Sequence, residues 1–352
     1  MNYKFNKRLK NLPQSVWQLI SKIDEIKGRW IGGAQLNPQA LGRLKKSTLI
    51  TSTGASTRIE GAKLSDEDVE KLMKGLGVQK FADRDKQEVK GYYELLNNVF
   101  ESWKQIPFSE SAIKHFHQEL LKHVEKDKLH RGEYKKVENK VHMVDEAGNS
   151  IATLFDTTSA YLTPKEMQEI TEWTKEALET KEIHPLLVIG NFLVEFLNIH
   201  PFQDGNGRLS RILTNLLMLK NGYSYMPYIS HEKLIENNKA DYYLALRRSQ
   251  KTIKAKEETI IPWLEFFLQV LLKQAEQAID LLSKENIEML LSPKQLLVWK
   301  YLESTSEATP GEISKATKVT RSTVSQALDV LTRLKKVKRI GQGRTTRYQK
   351  VL

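Results

Sequence analysis

The chain has 352 residues, of which 40% are hydrophobic and 28% are charged, a composition that suits a folded protein of two or three domains. It contains no cysteine, which excludes disulfides, thiolate zinc sites and a cysteine nucleophile. The formal net charge of +12 fits a partner rich in phosphate, such as a nucleotide or a nucleic acid.

Neither the start of the chain nor its most apolar stretches indicate export or membrane insertion. Residues 1–20 are basic, contain Pro13 and lack the apolar run of a secretory signal. Residues 186–197 and 260–272 are each interrupted by a glutamate and are too short to cross a bilayer. We therefore expect a cytoplasmic protein with no membrane partner.

Apolar residues spaced three and four apart predict helices along most of the chain. Ser65 precedes three acidic residues, which is typical of a helix N-cap, and further helices are predicted over 85–100 and 164–178. The clearest exception is Val141–Phe155. There two short apolar segments flank residues 145–149, which contain Gly-Asn, and this pattern predicts a β-hairpin.

A long helix is predicted from Ile261 to about Ile287, and Ser292-Pro293 begins a new unit. We therefore divide the chain into an N-terminal helical region (1–105), a central core (106–290) and a C-terminal domain (291–352). Residues 307–352 contain 11 Lys or Arg and 3 Asp or Glu, so most of the excess positive charge belongs to this last domain.

The most informative segment is His-Pro-Phe-Gln-Asp-Gly-Asn-Gly-Arg-Leu-Ser-Arg, residues 200–211. It follows an apolar stretch that predicts a buried helix, and it leads into a second helix with one apolar face. Gly205 and Gly207 let the backbone turn tightly and approach a ligand. Because the loop opens a helix, its free N–H groups favour an anion.

The charged residues of this segment suit a nucleotide. Arg208 and Arg211 lie three residues apart on a helix, so both reach one ligand and provide contacts suited to phosphate. Asp204 within this cationic loop predicts a bridging Mg²⁺, and a neutral His200 would accept a proton from an attacking hydroxyl. Each residue alone has an ordinary structural explanation, but their ordered combination favours a functional site.

The segment resembles the signature of Fic-domain proteins, His-x-Phe-x-(Asp/Glu)-Gly-Asn-Gly-Arg-x-x-Arg, at every defined position. The resemblance covers roughly residues 50–260, including Gly132-Glu133-Tyr134. It implies a mainly α fold, namely a helical Fic-domain core with a small β-hairpin flap. It also implies transfer of AMP from ATP to a Tyr, Thr or Ser hydroxyl of a protein, with release of pyrophosphate.

The resemblance also implies a role for each residue of the segment. His200 would be the general base, Phe202 would anchor the loop in the core, and Asp204 would hold Mg²⁺. The phosphate contacts would come from the backbone of Gly205 to Gly207 and the Asn206 side chain at the α-phosphate, and from Arg208 and Arg211 at the β- and γ-phosphates.

Two further features bear on the nucleotide. The phosphotransferase branch of the family has Lys at the position of Gly207, so the glycine favours AMP transfer over phosphate transfer. Tyr242 and Tyr243 resemble aromatic positions that approach the nucleotide base, although two core aromatics on a helix would give the same pattern.

Upstream, Ser56-Thr57-Arg58-Ile59-Glu60-Gly61 resembles the inhibitory motif (Ser/Thr)-x-x-x-Glu-(Gly/Asn) of many Fic proteins. The resemblance implies that Glu60 pairs with Arg211 and occupies the space of the γ-phosphate. ATP would then bind with its α-phosphate misplaced, and a displacement of about 1 Å costs on the order of a hundredfold in rate. The alternative is that Glu60 ends a helix and Gly61 is its C-cap.

The C-terminal domain is predicted as helices 293–302, 310–317 and 321–334, with Thr320 capping the third, and strands 337–340 and 345–348. This order resembles a winged helix-turn-helix. The resemblance implies that Arg321, Ser322, Ser325 and Gln326 face the DNA major groove and that Arg344 at the wing tip contacts the backbone or minor groove. A protein-binding module is the alternative.

Together these features predict a self-inhibited protein adenylyltransferase. The hairpin 141–155 is similar in position to the flap of the family, and this resemblance implies that the target docks on it through main-chain hydrogen bonds, while a plain surface hairpin is the alternative. Self-modification and a homodimer are compatible with this hypothesis. One alternative is a DNA-binding regulator whose Fic core senses nucleotide. Another is a Fic enzyme that transfers UMP or phosphocholine, or that removes AMP.

Overall fold

A computed structural model describes residues 4–33, 38–75, 83–144, 150–281, 291–334, 336–341 and 346–351. These residues are mainly α-helical, and the prediction of a mainly α fold with a small β-hairpin is confirmed. The N-terminal region comprises α1 (Lys4–Lys7), α2 (Gln14–Gly33), α3 (Pro38–Ile59), α4 (Asp66–Met73) and α5 (Asp83–Ser102).

The central part contains the predicted hairpin and a group of packed helices. Its elements are α6 (Glu110–Leu120), β1 (Lys140–Val144), β2 (Ser150–Asp156), α7 (Thr163–Thr180), α8 (Pro185–Ile199), α9 (Asn206–Lys220), α10 (His231–Asn237), α11 (Lys239–Gln250) and α12 (Ile261–Asp280). The C-terminal elements are α13 (Pro293–Ser304), α14 (Pro310–Thr317), α15 (Arg321–Arg333), β3 (Val337–Ile340) and β4 (Arg347–Lys350).

Several helices begin where their capping residues predict. Ser65 and Asp68 form a reciprocal capping box at the start of α4, as the acidic run after Ser65 predicts. The helices predicted over 85–100 and 164–178 are confirmed as α5 and α7, each slightly longer at both ends. Among the described helices, none is long and apolar enough to span a membrane.

The core is built around α8, which is buried along its whole length from Leu186 to Ile199, as predicted. Its one charge, Glu195, is paired with Arg8, just after α1, at 2.7 Å, and both side chains are 1% exposed. Arg8 also contacts Glu258 at 2.6 Å. Because an unpaired buried charge is strongly destabilising, this ion pair ties the N-terminal residues to the centre of the fold.

The hairpin pairs β1 and β2 antiparallel, with Lys140 opposite Asp156 and register irregularities after Val141 and Met143. Its predicted turn, residues 145–149, lies outside the described residues. The hairpin follows α6 in the chain and precedes α7 and α8. Its two ends lie close to the His200 loop, because Asn139 donates to the Phe202 carbonyl at 3.0 Å and Thr157 donates to the Asn139 carbonyl at 2.8 Å.

The C-terminal elements follow the predicted order of three helices and a two-stranded ribbon. The last strand ends at Lys350 rather than Tyr348. Thr320 occupies the N-cap position of α15, but its hydroxyl contacts Thr323 Oγ1 at 2.8 Å and does not cap the helix backbone. The predicted helix to Ile287 is described to Asp280, while the proposed boundary near 290 and Arg344 lie outside the described residues.

Candidate active site

The loop after α8 is a tight turn built by two residues in the left-handed backbone region. His200 has φ 52°, and its N–H donates to the Phe196 carbonyl at 2.9 Å, which ends the helix. Gly205 has φ 80° and immediately precedes α9. Such a conformation is uncommon for a residue other than glycine, and it turns His200 sharply away from the helix axis.

Asn206 and Phe202 hold this loop rigid. The Asn206 side chain accepts from the Phe202 N–H at 2.9 Å and donates to the Phe202 carbonyl at 2.8 Å. The Phe202 ring is fully buried, and the His117 ring stacks on it at 3.9 Å. The Asn206 amide is therefore already used within the loop, and its additional contact with a phosphate stays a prediction.

His117 supports the loop from α6. Its Nδ1 accepts from the Gly132 N–H at 2.9 Å, so its Nε2 carries the proton and donates to the Asp204 carbonyl at 3.0 Å. Burial lowers the pKa of His117 to about 4, which keeps the ring neutral. Both ring nitrogens thus fix the loop, and neither is available for proton transfer.

Asp204 and Arg208 belong to a group of alternating charges. Arg208 is buried and contacts Asp204 at 2.8 Å and Glu88 at 2.7 Å. Arg84 from α5 contacts Asp204 at 3.1 Å and Glu88 at 2.8 Å. Although burial raises the pKa of Asp204, the charge of Arg208, the hydrogen bond from the Gly205 backbone and the charge of Arg84 outweigh it, so the pKa is lowered and the carboxylate is ionised.

Asp204 alone does not make a metal site. Within the described ranges, no group of three or more His, Asp or Glu residues is arranged to hold a metal ion. Mg²⁺ is nevertheless commonly held by one or two carboxylates together with substrate phosphates. Asp204 therefore fits Mg²⁺ only when a nucleotide supplies further oxygens.

Arg211 contacts two residues at the end of α3. Its guanidinium donates to Glu60 Oε1 at 2.7 Å, to Ser56 Oγ at 2.8 Å and to the Ser56 carbonyl at 3.0 Å. A Cβ added to Gly207 would overlap the Glu60 carboxylate, so this carboxylate lies directly against the glycine backbone. Glu60 thus occupies the start of α9, where an anion would otherwise be favoured.

The position of Glu60 is set by the way α3 ends. Gly61 has φ 105°, which lets the chain turn so that the Ala62 N–H donates to the Thr57 carbonyl at 3.1 Å. Arg58 contacts Glu236 at 2.6 Å and Asp66 at 2.9 Å, which fastens the same helix end to α10 and α4. The two interpretations of Glu60 are therefore compatible, because Gly61 ends α3 as its C-cap and Glu60 also contacts Arg211.

The imidazole of His200 has a lowered pKa and is neutral at pH 7. Although the residue keeps some exposed surface, burial of its imidazole lowers the pKa to about 4. The charge of Lys135 acts in the same direction, while the Leu197 backbone, Glu60 and Asp204 oppose it. A neutral imidazole at pH 7 is able to accept a proton, as a general base requires.

The two tyrosines of α11 differ in their surroundings. Tyr242 is buried among aromatic rings, with centroids 5.8 Å from both Trp263 and Phe266. Burial raises its pKa to about 12. Tyr243 is half-buried, with its ring centroid 5.0 Å from that of Tyr242. Tyr242 is therefore a core aromatic, and contact of either ring with a nucleotide base stays a prediction.

Four residues predicted to contact DNA lie on the exposed side of α15. They are Arg321, Ser322, Ser325 and Gln326. The opposite side of the helix is buried through Val324, Leu328 and Leu331. The structure therefore brings the four together on one surface.

Arg84, Glu88, His117 and Lys135 were not predicted from the sequence. They reach the loop from α5, from α6 and from the segment before β1, far from the motif along the chain. The one sequence feature that could have pointed to any of these four residues is the place of His117, which shares the apolar face of α6 with Ile113 and Phe116. A buried histidine in such a place is usually structural, and sequence alone gives it no partner.

Residues 107–218 match the Fic/DOC family, and this range contains α6, the hairpin, α7, α8, the His200 loop and most of α9. The chain is 27% identical over 189 residues, 52% of each chain, to a protein of Aquifex aeolicus named as a probable protein adenylyltransferase. It is 32% identical over 82 residues to the protein adenylyltransferase fic-1 of Caenorhabditis elegans, 23% of this chain and 15% of that one.

The fold is also similar to solved structures. A Fic family protein from Desulfovibrio desulfuricans G20 superposes with a TM-score of 0.64 at 22% identity, over 97% of both chains. Fic-1 of Caenorhabditis elegans gives a TM-score of 0.61 at 19% identity, over 77% of this chain and 73% of that one. The chain spans about half the length of the Aquifex relative. The match of residues 107–218 and these superpositions show that the chain shares the Fic fold.

Proposed function

We propose that this protein transfers AMP from ATP to a hydroxyl of a protein side chain and that Glu60 restrains the reaction. The observation that carries the proposal is a neutral His200 beside a glycine loop that opens α9 and holds two buried arginines. The similarity to proteins named as adenylyltransferases supports the same reaction.

In this reaction His200 takes the proton from the target hydroxyl as its oxygen attacks the α-phosphorus. The bond between the α-phosphorus and the bridging oxygen breaks, and pyrophosphate leaves. Backbone N–H groups from Gly205 to Gly207 stabilise the charge that develops on the α-phosphate. Arg208 and Arg211 hold the remaining phosphates, and Mg²⁺ held by Asp204 and phosphate oxygens would neutralise part of their charge.

The restraint follows from the contacts of Glu60. Its carboxylate takes Arg211 away from a γ-phosphate and lies against Gly207, where it also repels phosphate. ATP therefore binds with its α-phosphate displaced, and a displacement of about 1 Å lowers the rate on the order of a hundredfold. Removal of the Glu60 side chain relieves both effects.

The test compares wild type, Glu60→Gly and His200→Ala, each incubated with Mg²⁺ and ATP labelled at the α-phosphate. Intact-mass analysis is expected to show an AMP-sized gain that is larger in Glu60→Gly and absent in His200→Ala. ATP labelled at the γ-phosphate separates phosphate transfer from AMP transfer. If Glu60→Gly binds ATP but labels neither itself nor any protein of a cell lysate, AMP transfer is ruled out.

A second candidate function is DNA contact through the C-terminal domain, which we interpret as a winged helix. The supporting observation is the exposed face of α15 that carries Arg321, Ser322, Ser325 and Gln326. A helix presented in this way by a basic domain suits the major groove. A dimer, which would read two half-sites, is part of the same hypothesis.

Fluorescence anisotropy with a labelled random-sequence duplex tests this contact. Arg321→Ala is expected to weaken binding and to lower the slope of log Kd against log salt by about one charge. Arg333→Ala, at the exposed far end of α15, is the matched control. Equal binding by both variants and the wild type would show that α15 does not contact DNA.

A further inference from the structure

Lys135 is a buried lysine beside the His200 loop, with 4% of its surface exposed. Its ammonium donates to Asn139 Oδ1 at 2.8 Å, to Thr157 Oγ1 at 2.7 Å and to the Ile199 carbonyl at 3.0 Å. Its backbone N–H donates to the Pro201 carbonyl at 2.9 Å. Lys135 thus contacts the residues on both sides of His200.

The other partners of Lys135 stand at the two ends of the hairpin. Asn139 directly precedes β1, and Thr157 directly follows β2, next to the paired residues Lys140 and Asp156. The Thr157 hydroxyl donates to the Asn139 carbonyl at 2.8 Å, and the Asn139 amide donates to the Phe202 carbonyl at 3.0 Å. One group of hydrogen bonds therefore joins the base of the hairpin to the His200 loop.

We propose that Lys135 is a positioning residue that sets the place of the hairpin relative to His200. A target segment paired with the hairpin would then present its hydroxyl at a fixed distance from the base. This inference rests on the proposed function, since it assumes that the hairpin binds the target. It assigns the lysine no contact with the nucleotide.

A buried lysine suits this task better than an apolar side chain of the same length. A charged ammonium has three N–H donors, which match its three acceptors on two different parts of the chain. Burial lowers the pKa of Lys135 to about 8, while Glu138 and Glu166 raise it. The ammonium therefore keeps its charge at neutral pH. Methionine has similar bulk but would leave the three acceptors without this donor.

The first test is hydrogen exchange, which does not depend on enzyme activity. In Lys135→Met, amides of β1 and β2 are expected to exchange about tenfold faster, because the hairpin base loses hydrogen bonds to the loop. Peptides of α12 should be unchanged. Lys136→Met is the matched control, since Lys136 is the exposed neighbour. If Lys135→Met fails to fold, Thr157→Val removes one link of the group with little change in volume.

The second test uses the Glu60→Gly background, in which AMP transfer is expected to be measurable. Adding Lys135→Met should lower the rate of transfer to protein at least tenfold while the Kd for ATP stays the same. Lys135→Arg, which keeps the charge and several donors, should recover part of the rate. A parallel loss of ATP affinity would mean that the lysine only maintains the fold.

The outcomes separate the two proposals. If Glu60→Gly transfers no AMP, the proposed function fails, and hydrogen exchange still decides whether Lys135 holds the hairpin. If exchange in β1 and β2 is unchanged in both Lys135→Met and Thr157→Val, the positioning role is overturned. If exchange accelerates but transfer continues at the full rate, the hairpin position does not control the reaction, and the inference is also overturned.

Discussion

Two buried arginines at the start of α9 each contact a carboxylate, which the nucleotide of the proposed reaction would have to displace. Arg208 contacts Glu88, whose side chain is 11% exposed, and Arg211 contacts Glu60, whose side chain is 31% exposed. An ion pair that water reaches is screened more strongly than a buried one, so its carboxylate costs less to displace. Glu60 is therefore the weaker of the two contacts and the better suited to act as a removable restraint.

The charge of Glu60 and its bulk contribute separately, and Glu60→Gln distinguishes them. The amide keeps the size of the side chain and one acceptor for Arg211, but it removes the ion pair and the repulsion of phosphate. We expect AMP transfer between that of the wild type and that of Glu60→Gly, measured as initial rates at saturating ATP. A rate equal to that of the wild type would show that the restraint is steric alone.

The His200 loop stood out in the sequence because its residues are consecutive. His200, Gly205 and Arg208 have fixed spacings whose combination indicates a phosphate-binding loop. The partners that orient them were not predictable, because Arg84 and Lys135 come from other elements and have no local pattern that names their acceptors. Pairing across long stretches of chain is set by tertiary packing, which periodicity does not encode.

At the level of elements, the end of α3 acts as a support for Glu60. Arg58 faces away from the loop and contacts Glu236 of α10, Asp66 of α4 and the Leu64 carbonyl. These contacts hold the helix end from the side opposite to Arg211. Hence the proposed restraint would depend on how firmly α3 is fastened as well as on the ion pair itself.

Arg58→Leu is expected to raise AMP transfer without altering any residue that contacts Arg211. Loss of a half-buried guanidinium with several hydrogen bonds weakens the local structure by about 1–3 kcal/mol, which loosens α3 near Glu60. The increase should be smaller than in Glu60→Gly, and hydrogen exchange over 52–64 should accelerate. Arg43→Leu, at an exposed position earlier on α3, is the control. Faster exchange without a change in rate would contradict the idea.

Helices and the hairpin were predicted well where a local signal exists. Ser65 with Asp68 and Pro293 after Ser292 each mark a helix start that the structure has, and the pairing of β1 with β2 confirms the predicted hairpin. Thr320 shows the limit of such signals, because a neighbouring hydroxyl competes for the side chain that was expected to cap α15. The packing of α8 around Glu195 could not be predicted, since its partner Arg8 lies in the N-terminal region, far away in the sequence.

At the scale of the whole molecule, three histidines among the residues that the structure describes carry imidazoles that burial keeps neutral. The pKa values of His117, His200 and His231 are each lowered to about 4, primarily by burial. The unfolded chain binds these protons near the ordinary value of about 6.5. Between these two values the unfolded state therefore holds more protons than the folded state, and acid favours unfolding.

The contribution of these three imidazoles to the free energy of unfolding should thus be constant above about pH 7. The free energy of unfolding should fall as the pH decreases from about 6.5 towards 4. Three protons correspond to a slope of at most about 4 kcal/mol per pH unit. The slope is measured by urea titrations at about pH 7, 6 and 5, which cover most of the interval between the two pKa values. His231→Leu, which leaves the proposed chemistry untouched, should remove about a third of the slope. An identical slope in His231→Leu and the wild type would mean that His231 is protonated in the folded protein.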